Sequence, residues 1–218
     1  MQIFLRNGAV TEQPEKVILQ YYKEMGSGVR AYDDSFIPGT GSLREQLMVA
    51  RELANRLGSR GIPSKAIDDL CAKQPAIAGK LDEVPSTITI LDEDEHIPWK
   101  SITDLFAAFR VRYVTIARYT KMLHKIRPNL IPILDSRVRN DYFLPTIARG
   151  TIAGLPEAER ATYLVREMKK DVYQNREALL RLCEWQGKPY DITIVRILDI
   201  LIWCRFGPFQ NRFAGLYT

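Results

Sequence analysis

The sequence is poor in the residues that mark metal, redox and secreted proteins. It holds three cysteines in 218 residues, Cys71, Cys183 and Cys204. None stands in a CxxC spacing, so neither a zinc ribbon nor a disulfide framework is indicated, and a reducing, cytoplasmic setting is the expectation. The two histidines, His96 and His124, have no metal-ligand spacing to each other or to a cysteine. No metal and no cofactor is expected. The most apolar segment, Ile192 to Cys204, is broken by Arg196 and Asp199 and is too short to span a bilayer. The opening MQIFLRNGAV lacks the apolar core of a signal peptide. No repeat and no low-complexity run is present, and no membrane partner is expected. What remains, 46% hydrophobic and 26% charged residues, is the composition of a globular chain long enough to bury a core without staples.

Acid is also scarce in one place. Residues 110–139, RVRYVTIARYTKMLHKIRPNLIPILDSRVR, carry eight basic residues: Arg110, Arg112, Arg118, Lys121, Lys125, Arg127, Arg137 and Arg139. They carry one acid, Asp135, so the stretch is +7, the whole chain is +5, and the rest of the chain is −2. Positive charge gathered this way is the footprint of a polyanion contact, most often nucleic acid. A solvated helix face with structural arginines gives the same composition.

Periodicity and turn chemistry predict a mainly all-α protein with at most one or two short strands. We expect one helical domain over residues 1–218, with 1–30 as an N-terminal segment and 102–144 as a hairpin and basic region. A short strand over 2–5 and a turn at Asn7-Gly8 precede a helix opened by Pro14. Residues 26–41 read as a loop; its Pro38-Gly39-Thr40-Gly41 lacks the Gly-Lys-Ser/Thr ending of a P-loop. Ser42 and Glu45 form a capping box for a helix that Gly58 stops. Ser64 caps a shorter helix, a further one runs over 75–81, and alternation over 86–91 allows a strand. The acidic run Asp92 to Glu95 reads as a solvated loop. Ser101 and Asp104 mark a helix start, and a second helix is expected over 116–126, with Arg118, Lys121 and Lys125 together on one face. Asp135 or Ser136 then caps a helix over 137–144. Pro156 opens a long amphipathic helix or pair reaching Trp185. Asp191 caps an apolar last helix in which Arg196 and Asp199 need partners.

Three segments carry a resemblance. Lys121-Met122-Leu123-His124-Lys125, Arg127-Pro128, Pro132 and Asp135-Ser136-Arg137-Val138 resemble the pattern TKLLHxKRPxLxPxxDSxV. Val195 to Trp203 resembles LRVLDVVLW, and Ala31-Tyr32-Asp33-Asp34 with Pro38 to Gly41 resembles YDxxPGTG. Together they resemble an uncharacterised, mainly actinobacterial family, a domain of unknown function. The order helix, short link, basic helix, then Ile133-Leu134-Asp135-Ser136-Arg137-Val138 is distantly similar to the helix-hairpin-helix DNA glycosylase superfamily. That resemblance implies a hairpin at Thr115-Ile116-Ala117 on a DNA phosphate. It also implies that Asp135 stabilises the cation left by a departing base after base flipping. The position of the Schiff-base lysine of bifunctional members matches Tyr119, so any glycosylase chemistry is expected to be monofunctional. Thr115 and Ala117 replace the hairpin glycines, which weakens the clamp. Asp135 reads equally as a helix N-cap.

The expectation is therefore a nucleic-acid-binding protein, DNA ahead of RNA, contacting phosphate through the eight basic residues. A degenerate glycosylase using Asp135 and Tyr119 is its enzymatic form. A structural or protein-interaction domain is the alternative.

Overall fold

The computed structural model describes residues 1–35, 42–57, 61–148 and 150–218. Pro38 to Gly41 and Gly58 lie outside the described residues. Ten α-helices, one π-helix and one two-stranded sheet are present among the described residues. The chain is mostly helical, as the periodicity predicts. Strands β1 (Ile3–Phe4) and β2 (Val10–Thr11) pair antiparallel, with Ile3 opposite Thr11. The Asn7-Gly8 turn between them takes positive φ at both residues, which Asn and Gly tolerate best.

Helix α1 (Pro14–Glu24) starts at its proline and buries Val17, Ile18, Tyr21 and Tyr22. Residues 27–34 depart from the loop expectation: they form α2 (Ser27–Asp34). An eight-residue helix is marginal by itself. This one is held from outside, by burial of Tyr32 and Asp33. Helix α3 (Leu43–Arg56) carries the expected Ser42/Glu45 capping box, with both reciprocal bonds formed. Helices α4 (Ser64–Cys71) and α5 (Gln74–Glu83) follow. Residues 86–91 form turns instead of the strand that alternation allowed. The Thr89 hydroxyl and backbone N–H both donate to Asp92, closing a local turn in place of a strand.

Helix α6 (Trp99–Ala108) begins two residues before Ser101, behind Pro98. Helix α7 spans Ile116–Ile126, as expected. After the extended 131–135 segment, Asp135 Oδ1 accepts from Arg137 N and Val138 N, 2.9 and 3.0 Å. That caps the helical turn opening at Ser136, which continues as a π-helix over Val138–Phe143. Helices α8 (Glu157–Gln174) and α9 (Arg176–Glu184) are separated at Asn175, whose side chain bonds both backbone groups of Phe4. Helix α10 (Ile194–Phe206) is capped by Thr193, which accepts from Arg196 N, and not by the exposed Asp191. Asp191 is two residues too early to reach the free N–H groups of the first turn.

Helix α10 is buried on every side from Val195 to Ile202. It packs against α1, α9, α8 and the π-helix, while α3 packs on α7 and α6 on α8. Its two charges meet inside. Arg196 Nε and Nη2 hold both oxygens of Asp33 at 2.8 and 2.9 Å. Nη1 binds Asp199 and Nη2 meets the Tyr21 hydroxyl at 2.9 Å. Tyr22 donates its hydroxyl to Asp33, 2.9 Å. One guanidinium therefore serves two buried carboxylates, and burial pushes the Asp199 carboxyl up to about 7 against the pull of Arg196. Beside them His124 stacks on Tyr32, and its Nδ1 donates to Ile131 O at 2.6 Å. Burial pushes this imidazole down to about 3, so it stays neutral.

Replacing Arg196 with methionine leaves both carboxylates buried and uncompensated, and should cost about 3–5 kcal/mol in urea unfolding. A carboxyl raised in the folded state stabilises fully below its unfolded value, near 3.8, and stops doing so as pH climbs through its folded value. The stability advantage of the wild type over Asp199→Asn should therefore shrink between about pH 4 and pH 7. Paired unfolding curves across that window check the sign; a widening gap would refute it.

Candidate nucleic-acid interface

The site is built on the link between α6 and α7. Phe109 ends α6 inside the core, and Val114 and Ile116 re-enter it. The four residues between must turn back over the surface, and Arg110, Arg112 and Tyr113 are exposed there. The turn closes with Val114 N donating to Val111 O at 3.1 Å. Its left-handed residue is Tyr113, at φ 69°. Thr115, the residue matched to a hairpin glycine, is extended, and Ala117 is helical. A bulky side chain in this region costs about 1–2 kcal/mol. Arg118 donates to Tyr113 O, which holds the strained peptide from below. Lys73 Nζ donates to Arg110 O at 3.1 Å and fixes the start of the turn. The Arg112 guanidinium lies over the Tyr113 ring, 4.8 Å from its centre. Helix α7 then begins at Thr115 with no side-chain cap. Its first N–H groups carry the partial positive charge of a helix start.

A second group of cations surrounds the buried part of α7. The Tyr119 side chain is fully buried, its ring 5.4 Å from that of Phe106. Burial holds its hydroxyl protonated well above the usual range, with Glu157 pushing the same way and Arg139, Arg160 and Arg110 opposing. The hydroxyl and Arg160 Nε have no hydrogen-bond partner among the described residues. Arg139 acts on both Asp135 and Tyr119: its Nε donates to Asp135 O at 3.3 Å, and its charge acts on Tyr119. Arg137 is exposed and paired with Asp141 at 2.9 Å. Asp135 is half-buried and engaged as a cap through Oδ1. Its charge acts on Lys121 and Asp199.

Three of the eight basic residues point elsewhere. Lys121 Nζ donates to Leu57 O at 3.1 Å, the carbonyl closing α3. Lys125 Nζ donates to Ser35 O at 2.9 Å, closing α2. Arg127 donates to Val84 O and, at 2.7 Å, to Leu81 O, closing α5. Each neutralises orphan carbonyls at the negative end of a helix. The shared face of Lys121 and Lys125 is therefore a packing face, turned to α2 and α3. Sequence spacing shows which residues share a face, and carries no sign of which neighbour covers it.

Lys125 also lines a cleft of about 620 Å³ with Asp33, Asp34, Asn129, Cys183 and Thr193. Its ammonium lies 4.2 Å from the Tyr32 ring centre, and burial pushes it down to about 8. The sequence reading missed this cleft, along with Arg160 and the Tyr113 turn. Tyr113 stands inside the basic stretch, and its place between Arg112 and Arg118 was the available signal. Nothing local marks the cleft, whose walls come from five separate segments.

A family model described as a family of unknown function, DUF6308, matches residues 17–205. The chain belongs to this family. The DUF6308 span runs from within α1 into α10, and so takes in the link, the basic helix and the Arg196 cluster. No curated protein and no solved structure matches the chain. No helix among the described residues is long and apolar enough to cross a membrane.

The two kinds of cation should separate by stability. Arg127→Ala removes charged hydrogen bonds to two helix-end carbonyls and should cost about 1.5–3 kcal/mol. Arg112→Ala, on the surface turn, should stay within about 0.5 kcal/mol. Equal effects in chemical denaturation would contradict the division.

Proposed function

We propose that this protein binds nucleic acid, DNA before RNA, through the α6–α7 turn, the start of α7 and the adjoining arginines of the π-helix and α8. The observation that carries this reading is that Arg110, Arg112, Arg139 and Arg160 form no salt bridge among the described residues. Other arginines, Arg51, Arg166 and Arg181 among them, also lack a salt bridge among the described residues. The first four differ in being gathered, since Arg110, Arg139 and Arg160 all act on Tyr119 and Arg112 shares the turn with Arg110. Unpaired arginines beside an uncapped helix start attract phosphate by charge and by backbone N–H. Lys121, Lys125 and Arg127 serve the fold in this reading. The distant resemblance to helix-hairpin-helix glycosylases supports the same face.

The enzymatic form of the proposal assigns base excision to Asp135, with Tyr119 in place of a Schiff-base lysine and hence no strand cleavage. The capping bonds leave Asp135 Oδ2 as the oxygen available for that role. Asparagine caps helices as well as aspartate. Asp135→Asn should therefore preserve folding and binding, and abolish excision from a damaged duplex if excision occurs.

Affinity for an oligonucleotide should fall by orders of magnitude between about 50 and 200 mM salt. Arg110→Ala and Arg112→Ala should each reduce the salt slope by about one, with Arg137→Ala doing less because of Asp141. Fluorescence anisotropy measures both. No binding to DNA or RNA at low salt eliminates this function and its enzymatic form together, and leaves the structural or protein-interaction role.

A further inference from the structure

Tyr113 is the place where this surface departs from what folding alone would select. Among the described residues, only Asn7 and Tyr113 combine positive φ with a side chain. Asparagine is at home there; an aromatic residue is not. Glycine would make the same turn without strain. The ring does not repay the strain by burial, since it is 48% exposed. It makes no contact with another aromatic ring among the described residues. It is instead presented outward, with Arg112 over one face at 4.8 Å and Arg110 in the same turn. Strain of this kind, kept at an exposed turn, is an argument for a role in binding.

We infer that Tyr113 is a stacking platform for an unpaired base, and that the partner class is single-stranded or locally opened nucleic acid. This rests on the reading that the face binds nucleic acid. A base inside an intact duplex has both faces covered by its neighbours and cannot lie on a protruding ring. An unpaired base can, and the stack is sequence-tolerant because every base has a π face. Arg112 adds a cation over the same ring, and the flanking phosphates meet Arg110 and Arg112. The assignment falls to an aromatic, a residue type that charge counting ignores.

Tyr113→Gly separates this role from a structural one. Glycine relieves the left-handed strain, so thermal stability should hold or rise. Affinity for a labelled 12-nucleotide oligo-dT should drop about tenfold. Affinity for a 12-base-pair duplex and the salt slope should stay within about twofold, because phosphate contacts are untouched. Tyr113→Trp should retain the oligo-dT affinity. Wild-type protein that binds the duplex and not oligo-dT would overturn the inference and leave the proposed function standing. Equal loss on both ligands, or no loss on either, would also overturn it. Wild-type protein that binds neither would remove both.

Discussion

The fold depends on one guanidinium in the core. Arg196 projects from the most buried helix and is matched by Asp33 on α2, Asp199 on its own helix and Tyr21 on α1. A charge so enclosed is tolerable only when every donor has an acceptor. This requirement fixes α1 and α2 against α10 more specifically than apolar contact would, because shifting either helix strands an ion. Tyr32 extends the cluster: its hydroxyl donates to Lys121 O at 3.0 Å, and its ring lies under Lys125 and beside His124. Helix α7 is thereby placed by the same knot. The outward end of α7, where the arginine-rich turn sits, inherits its orientation from a charge balance on the other side of the helix.

Much of this was legible in the sequence where the cause is local. The capping box at Ser42, the helix opened by Pro14 and the whole of α7 follow from residues within a few positions of one another. So does the turn at Asn7-Gly8 behind a short first strand. The interruption of the last helix by Arg196 and Asp199 also announced a buried pair, since charges on an all-round apolar helix have nowhere else to go. What failed was decided at long range. Helix α2 looked like loop because Gly26, Gly28 and the paired aspartates favour turns. Its order comes from Arg196, 163 residues away from Asp33 in the chain. Segment 86–91 alternated like a strand and lacked a partner.

The candidate site shows the same division. The stretch of dense positive charge was visible, yet its charges serve two purposes that composition cannot distinguish. Lys121, Lys125 and Arg127 lie within two helical turns of one another, and close the ends of α3, α2 and α5 respectively. A single helix thus collects three others by their negative ends. Arg110 and Arg112 lie before the helix, and their side chains donate to no helix-end carbonyl among the described residues. Position relative to the ends of neighbouring helices sorts the two sets, and this is a property of packing.

The π-helix at Val138–Phe143 has a consequence of its own. Its widened turn holds one residue more than an α-helical path of the same height, seen where Leu144 N reaches back five positions to Arg139 O. Deleting a single residue there would let the backbone relax into ordinary register. Keeping every residue on an unwidened α-helical path would instead swing everything beyond it by about 100° around the axis. Tyr142 would leave Asp171, which it now meets at 3.0 Å, and that carboxylate would keep Arg6 alone. The surplus residue is thus a phase adjuster, setting the angular position of an aromatic anchor in a way no substitution could reproduce.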